Sequence, residues 1–367
     1  MNLLTEGQVK FEVGNAFYNP KGQISRDLGV LAARVYRAEN GQLRVLDAMA
    51  GCGVRSLRYY DESEADWVLA NEGNPEVGAV LRANLNEILA AGRGKISHDN
   101  ADRVFSQCYC DRDYYDLIDL DSFGTPTPYL STALRALKLN GLLYLTSTDG
   151  RTATGHQCDR SLAAYGAFAR NHPAAQEQVL RLLIGAVQQQ AAILGWGVQP
   201  MFSLFLGQTY RVMVRLRPKS ALTPQNYGFL GYCHHCGEYQ AVSWRKLGNC
   251  LCPQDTRSLT LSGPMWLGAL HDRDFLRSMQ HLTEETKTRD LLQIMAAEAD
   301  FPPYFYTMGE IGRRGKLDVP KRSRLLQALQ EQGYRAVPTS INARAIKTNA
   351  DLAACIALAK KLLSQVI

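Results

Sequence analysis

Leu43-Arg44-Val45-Leu46-Asp47-Ala48-Met49-Ala50-Gly51-Cys52-Gly53-Val54-Arg55-Ser56 is the stretch whose reading decides the fold. An apolar run over residues 43–49 breaks on two nearby glycines, and helical spacing resumes over residues 54–60. A strand, a tight glycine turn and a helix in that order let the backbone approach a bound ligand closely. The third glycine of the dinucleotide fingerprint is missing, because Val54-Arg55-Ser56 follows Gly53.

The alternation continues outward from this turn. Residues 66–71 read as a second strand, and Asn74-Pro75-Glu76 supplies a helix cap, a first-turn proline and an acid at the positive dipole end. Val77, Leu81, Leu85 and Ile88 then follow at helical spacing. Strands are predicted over 95–98, 115–120 and 141–147, helices over 128–138 and 173–194, and a closing antiparallel pair over 197–206 and 210–216. This is the α/β pattern of a parallel sheet with helices on both faces. Pro218 to Pro224 reads as a linker dividing residues 1–220 from a smaller α+β part, 221–367. The second part holds a cysteine cluster, a helix over 274–297 stopped before Pro302-Pro303, and a basic helix over 321–330 ended by Gln332-Gly333.

Hydrophobic residues at 46% and charged residues at 21% describe an ordinary globular chain and exclude disordered and fibrous classes. The segment MNLLTEGQVKFEVGN lacks a basic and then apolar leader, and no later run of about 18 residues is free of polar interruption. A cytoplasmic monomer without a membrane segment is expected. The net charge of +6 is concentrated: Arg313, Arg314, Lys316, Lys321, Arg322, Arg324, Arg335, Arg344 and Lys347 face only Asp318 and Glu331 in that segment. Such a surplus suits either a solvated helix face or a polyanion such as nucleic acid, from which lysine and arginine displace counterions.

Cys233-x2-Cys236 and Cys250-x-Cys252, thirteen residues apart, place four thiols within twenty residues, a set suited to tetrahedral structural zinc. The second pair is shorter than a usual knuckle, which leaves His234 or His235 as an alternative ligand. Toward the sheet, Gly51 lies in the ligand loop, and Glu72 ends the second strand, where a carboxylate accepts from two ribose hydroxyls, as also in an NAD site. Asp47 favours S-adenosylmethionine, whose ammonium and sulfonium attract a carboxylate that would repel a pyrophosphate. Asp99 and Asn100 follow the third strand, in place to read an adenine edge. Asp121-Ser122-Phe123-Gly124 ends the fourth strand. There a carboxylate can accept an amine N–H and orient its lone pair, while an aromatic ring stacks a base. The same residues would also serve as a helix cap and a core aromatic.

The residues resemble a known family, the tRNA guanosine-26 N2-dimethyltransferases, along nearly the whole chain. The resemblance rests on Phe17-Tyr18-Asn19-Pro20, Arg26-Asp27, Leu46-Asp47-Ala48, Gly53-Val54-Arg55, Asn71-Glu72 and residues 118–124. Residues 146–150, Gly263-Pro264-Met265-Trp266-Leu267-Gly268 and Ile346-Lys347-Thr348 extend it. It implies a Rossmann-like class I methyltransferase domain and a C-terminal domain particular to the family, here zinc-containing and tRNA-binding. It implies cofactor binding through Arg26, Arg55, Glu72, Asp99 and Asn100, a catalytic Asp121, and Phe17 and Phe123 around the target base. Three positions depart from the family pattern: Ser122 replaces proline, Glu72 replaces aspartate and Asn100 replaces alanine. A serine at 122 is expected to loosen the turn presenting Asp121. The expected reaction is transfer of one and then a second methyl group to the N2 amine of a tRNA guanine. A zinc-containing NAD dehydrogenase and a tRNA-binding protein without catalysis are the competing readings.

Overall fold

The computed structural model describes residues 3–248 and 250–364. After an N-terminal hairpin of Leu3–Glu6 and Val9–Glu12, the chain builds one seven-stranded sheet. Its strands are β1 (Arg44–Asp47), β2 (Trp67–Asn71), β3 (Gly94–Ser97), β4 (Tyr115–Leu120), β5 (Leu137–Ser147), β6 (Gly197–Leu206) and β7 (Thr209–Arg217). Their order is β3-β2-β1-β4-β5-β7-β6, parallel through β5 and antiparallel for the last two. The chain runs outward from β1 to β3 and then returns to place β4 against β1. That reversal is the crevice where ligands of open parallel sheets lie.

Helices cover both faces, so central strands are buried on both sides and every residue of β4 is buried. One face carries α1 (Gln23–Asn40) and α2 (Val54–Ser63); the other carries α3 (Ala101–Cys110), α4 (Leu130–Ala136) and α5 (Ala175–Ile193). The predicted helix after Asn74 is a single turn at Pro75–Val77, with the Asn74 side chain accepting from the Glu76 N–H, followed by helices Gly78–Asn84 and Asn86–Ala90. Strand β5 begins four residues before its predicted start, at Leu137, where pairing with β4 already starts opposite Tyr115.

Beyond residue 220 lie two small sheets. Strands β8 (Tyr227–Tyr232), β9 (Tyr239–Val242) and β10 (Thr260–Trp266) pair in the order β9-β8-β10; β11 (Tyr306–Thr307), β12 (Ala336–Pro338) and β13 (Ala345–Thr348) pair as β11-β13-β12. The helix predicted over 274–297 is two helices, α6 (Arg273–His281) and α7 (Thr286–Glu298). The break folds them side by side. Phe275, Leu276 and Met279 of α6 and Leu292 and Met295 of α7 then join the core beneath α1, with Met201 and Met213. The later part of the chain therefore completes one helical layer of the large sheet. The basic helix is found at Arg322–Glu331, ended as expected at Gln332-Gly333. No described helix is long and apolar enough to cross a membrane.

Candidate active site at the strand ends

The glycine turn after β1 is shaped by close packing. Gly53 sits at φ +86°, and a Cβ there would meet Leu81 Cδ1 at 2.8 Å. The Gly51 N–H donates to Glu72 Oε2 at 2.8 Å, and the other oxygen of Glu72 accepts from the Asn74 N–H, also at 2.8 Å. Glu72 thus pins the loop to the end of β2 with one lone pair of each oxygen engaged. Asn71, buried beside it, donates to the Ala48 and Asp99 carbonyls at 3.1 and 3.0 Å, which draws the ends of β1, β2 and β3 together. Asp99 accepts from the Asn100 N–H at 2.7 Å and from Arg103 at 3.3 Å. Asn100 is the N-cap of α3, its side chain accepting from the Asp102 N–H at 2.8 Å.

The ends of β1 and β4 hold a buried cluster of charge. Asp47 is wholly buried; its Oδ2 accepts from Ser56 at 2.8 Å and its Oδ1 has no partner. Burial first, and then the neighbouring Asp119, push its carboxyl up to about 7. Asp47 thus faces this charge cluster, and no part of it is open to solvent. Asp119, also wholly buried, accepts from Tyr59 and from Arg211, each at 2.8 Å. Asp121 pairs with Arg55 and, at 3.3 Å, with Arg211. Burial works to raise the Asp121 carboxyl, but the two guanidiniums outweigh it and hold the group at about 2.

Arg211 and Asp119 were not among the residues singled out from sequence. The available signal was a charged side chain within otherwise apolar strand runs, Tyr210-Arg211-Val212-Met213 and Leu117-Ile118-Asp119-Leu120. Arg211 is 1% exposed, with its guanidinium 3.7 Å above the Tyr144 ring. Arg26 lies in a separate network. It pairs with Glu6, which also takes Arg58 at 2.9 Å, and it donates to the Asn19 carbonyl at 3.2 Å.

Two large aromatics stand in the open beside Asp121. Phe17 is 71% and Phe123 78% exposed, and their rings meet edge to face at 5.6 Å. Asp121 does not cap a helix and Phe123 fills no core, so the structural alternatives for both fall away. Ser122 is buried, and its hydroxyl donates to the Thr146 carbonyl at 3.3 Å. The Gly124 N–H adds a bond to Thr148 at 2.8 Å, so the loop is tied to the end of β5.

The cysteine lobe differs from expectation at one ligand. Cys233, Cys236 and Cys252 converge with Asp255, one ligand atom of each lying within 4.8 Å of the others. Cys250 stands apart, its thiol donating to the carbonyls of Lys246 and Leu247 at 3.0 and 3.4 Å. His234 and His235 are not in the group, and His235 bonds Asp255 at 2.7 Å instead. The basic segment is also partly used internally. Lys347 is buried against Glu177 at 2.7 Å, and Arg314 is held by Glu310, Tyr232 and the carbonyls of His234 and His235.

A family profile described as N2,N2-dimethylguanosine tRNA methyltransferase matches residues 3–360. The tRNA (guanine(26)-N(2))-dimethyltransferase of Metallosphaera sedula is 30% identical over 345 residues, covering 90% of this chain and 85% of its own. That of Thermococcus kodakarensis is 29% identical over 355 residues, covering 91% and 90%. The solved complex of Trm1 from Pyrococcus horikoshii with S-adenosyl-L-methionine matches with a TM-score of 0.85 at 26% identity, over 98% of this chain and 99% of that one. The architecture is accordingly the Rossmann-like fold of the S-adenosylmethionine methyltransferases. With that match running from the hairpin to the last helix, the chain belongs to the N2,N2-dimethylguanosine tRNA methyltransferase family.

Proposed function

We propose that the protein transfers one and then a second methyl group from S-adenosylmethionine to the N2 amine of guanosine 26 of tRNA. The observation that carries this reading is the placement of Asp121, a carboxylate held ionised at about 2, beside the exposed Phe17 and Phe123 at the switch point of the sheet. Residues 1–220 hold the chemistry and 221–367 the metal lobe, and the chain acts as a cytoplasmic monomer.

The residues present fit the cofactor. Each Glu72 oxygen keeps a second lone pair for a ribose hydroxyl. Arg55, whose Nε lies 3.5 Å from Asp119 without a hydrogen bond, is 12% exposed and near enough to the surface to meet a carboxylate. Asp99 and Asn100 border the adenine end, while Asp47 steadies the start of α2 through Ser56 and Arg26 holds the Asn19 carbonyl. When bound, S-adenosylmethionine supplies an electrophilic methyl group.

The chain's own residues do the rest. A guanine amine is a poor nucleophile because its lone pair is delocalised into the ring. Asp121 accepts one N–H, which orients the amine and stabilises the positive charge that grows on nitrogen, and the proton that the methylated nitrogen sheds passes along that bond to the Asp121 carboxylate. Phe17 and Phe123 hold the extruded base, a contact worth about 1–3 kcal/mol. Arg211 keeps the Asp121 oxygens aimed. In the lobe, three thiolates and Asp255 form a closed donor set for structural zinc, with His235 orienting the carboxylate.

Incubation with unmodified tRNA and methyl-labelled S-adenosylmethionine, followed by nucleoside analysis, tests the reading. Label in N2-methylated guanosine at position 26 is expected, and label absent from RNA overturns it. Asp121→Ala should lower transfer by about 10²–10⁴-fold while cofactor affinity holds; full activity in that variant removes Asp121 from the mechanism. Elution at twice the monomer mass at working concentration would overturn the monomeric state.

A further inference from the structure

The expected polyanion grip was the segment from Arg313 to Lys347, yet other exposed cations follow closely along the chain from the strand end that holds the reacting loop. The loop of Asp121 and Phe123 is tied to the end of β5, where the Gly124 carbonyl accepts from the Thr148 N–H at 2.8 Å. Three residues later comes Arg151, exposed, followed by a five-residue wide turn at Thr152–His156. Within it, Gly155 adopts φ +85°, and a Cβ there would lie 2.3 Å from the Arg170 carbonyl carbon. The wide turn is therefore pressed against the 168–172 segment, and Asn171 fastens the two by donating to the Thr154 carbonyl at 3.1 Å.

This packing sets the exposed Arg170 against the turn that follows the exposed Arg151, and the exposed Arg160 lies on the helix that comes next, Cys158–Tyr165. Among the described residues none of the three has a carboxylate at ion-pair distance. Arg160 makes one bond, to Gln157 at 3.3 Å, and Arg170 lies over the Phe168 ring. In the C-terminal segment Arg313 is paired with Glu310 and Arg322 donates to the Ala343 carbonyl, while Lys321 and Arg324 are exposed and, among the described residues, likewise lack a carboxylate at ion-pair distance.

The geometry points to the surface of Arg151, Arg160 and Arg170 as the track of the RNA backbone flanking the target base. The inference rests on the tRNA reading above. A stacked base at Phe123 requires its neighbouring phosphates to cross the rim of the site, and unpaired guanidiniums there bind phosphate without first breaking an internal ion pair. The strip carries no sequence information itself; it sets register, so that one guanine reaches Asp121.

The test compares the full-length protein with Arg151→Ala/Arg170→Ala and with Lys321→Ala/Arg324→Ala. Affinity for an unmodified tRNA transcript is measured at several salt concentrations, and affinity for S-adenosylmethionine by calorimetry. The first variant should lose about 2 from the slope of log K against log salt and bind tRNA roughly tenfold more weakly. Its cofactor affinity should be unchanged, which also reports that it is folded. A first variant that keeps the parent's affinity and slope, or a slope loss confined to the second variant, overturns the inference and leaves the tRNA reading standing. A parent protein that binds no tRNA overturns both.

Discussion

Arg211→Met is the sharpest test of the buried charge cluster. Arg211 bonds Asp119 at 2.8 Å and Asp121 at 3.3 Å from a site 1% exposed. With the Asp47 carboxyl raised to about 7, Asp119 and Asp121 balance Arg55 and Arg211 in the acid-to-neutral range. Methionine fills a similar volume but leaves one buried carboxylate without its cation, which should cost about 3–5 kcal/mol. For a core of this size that lowers Tm by on the order of 10 °C. The pH dependence has a definite sign. Asp121 is held at about 2 against an ordinary 3.8, so its pairing stabilises fully above the ordinary value and is lost as pH falls towards 2. The destabilisation should therefore be largest near neutrality and shrink in acid. The same loss raises the Asp121 carboxyl, so single-turnover methyl transfer should acquire an acid limb displaced upward from that of the parent. Arg211→Lys, which keeps the charge but not the fork, should fall between the two. Melting by circular dichroism and rapid-quench transfer across pH are the assays. An Arg211→Met protein with the parent's Tm and pH profile would refute the argument.

Asp47→Asn follows from the opposite shift. A folded carboxyl raised to about 7 binds its proton more tightly than the unfolded chain, so stability declines as pH rises from the ordinary 3.8 to about 7. The amide should flatten that decline and melt no lower than the parent at pH ~8; an unchanged slope would exclude Asp47 as its source. Phe123→Ala removes an exposed ring, so Tm should move by less than about 0.5 kcal/mol equivalent. Transfer efficiency should nevertheless drop roughly 5- to 150-fold from lost stacking, and equal kcat/KM would sink the base-holding role. In the lobe, metal analysis of Cys252→Ser and Asp255→Ala should show zinc lost, while Cys250→Ser retains it. The reverse pattern would restore Cys250 as the fourth ligand.

Much of the fold was readable from local pattern. Hydrophobic runs ending in Asp47, Asn71 and Leu120 mark strands because a strand buried on both faces is built mainly from apolar side chains, Asp116 and Asp119 being the exceptions that find buried partners. Asn74 and Gln332-Gly333 mark helix ends through bonds made within a few residues. The family motif likewise marked Asp121, Phe17 and Phe123, and the structure leaves both rings exposed beside that carboxylate. Less legible were features whose cause lies across the chain. The gap between α6 and α7 exists because both helices must reach the core beneath α1. Asp255 joins the cysteines through a fold-back that spacing alone does not encode.

The amino-acid sequence by itself therefore determined the alternating sheet, the glycine loop, the strand-end residues and the family, all of which depend on periodicity or contiguous motif. Only the tertiary structure decided which charges meet. It sank Asp47 beside Asp119, brought Arg211 of β7 across β5 to Asp121, consumed Lys347 against Glu177 and left Arg151 and Arg170 free. The reason is that a charge's effect is set by the dielectric and partners around it, which are fixed by residues 90 and 170 positions away in the sequence.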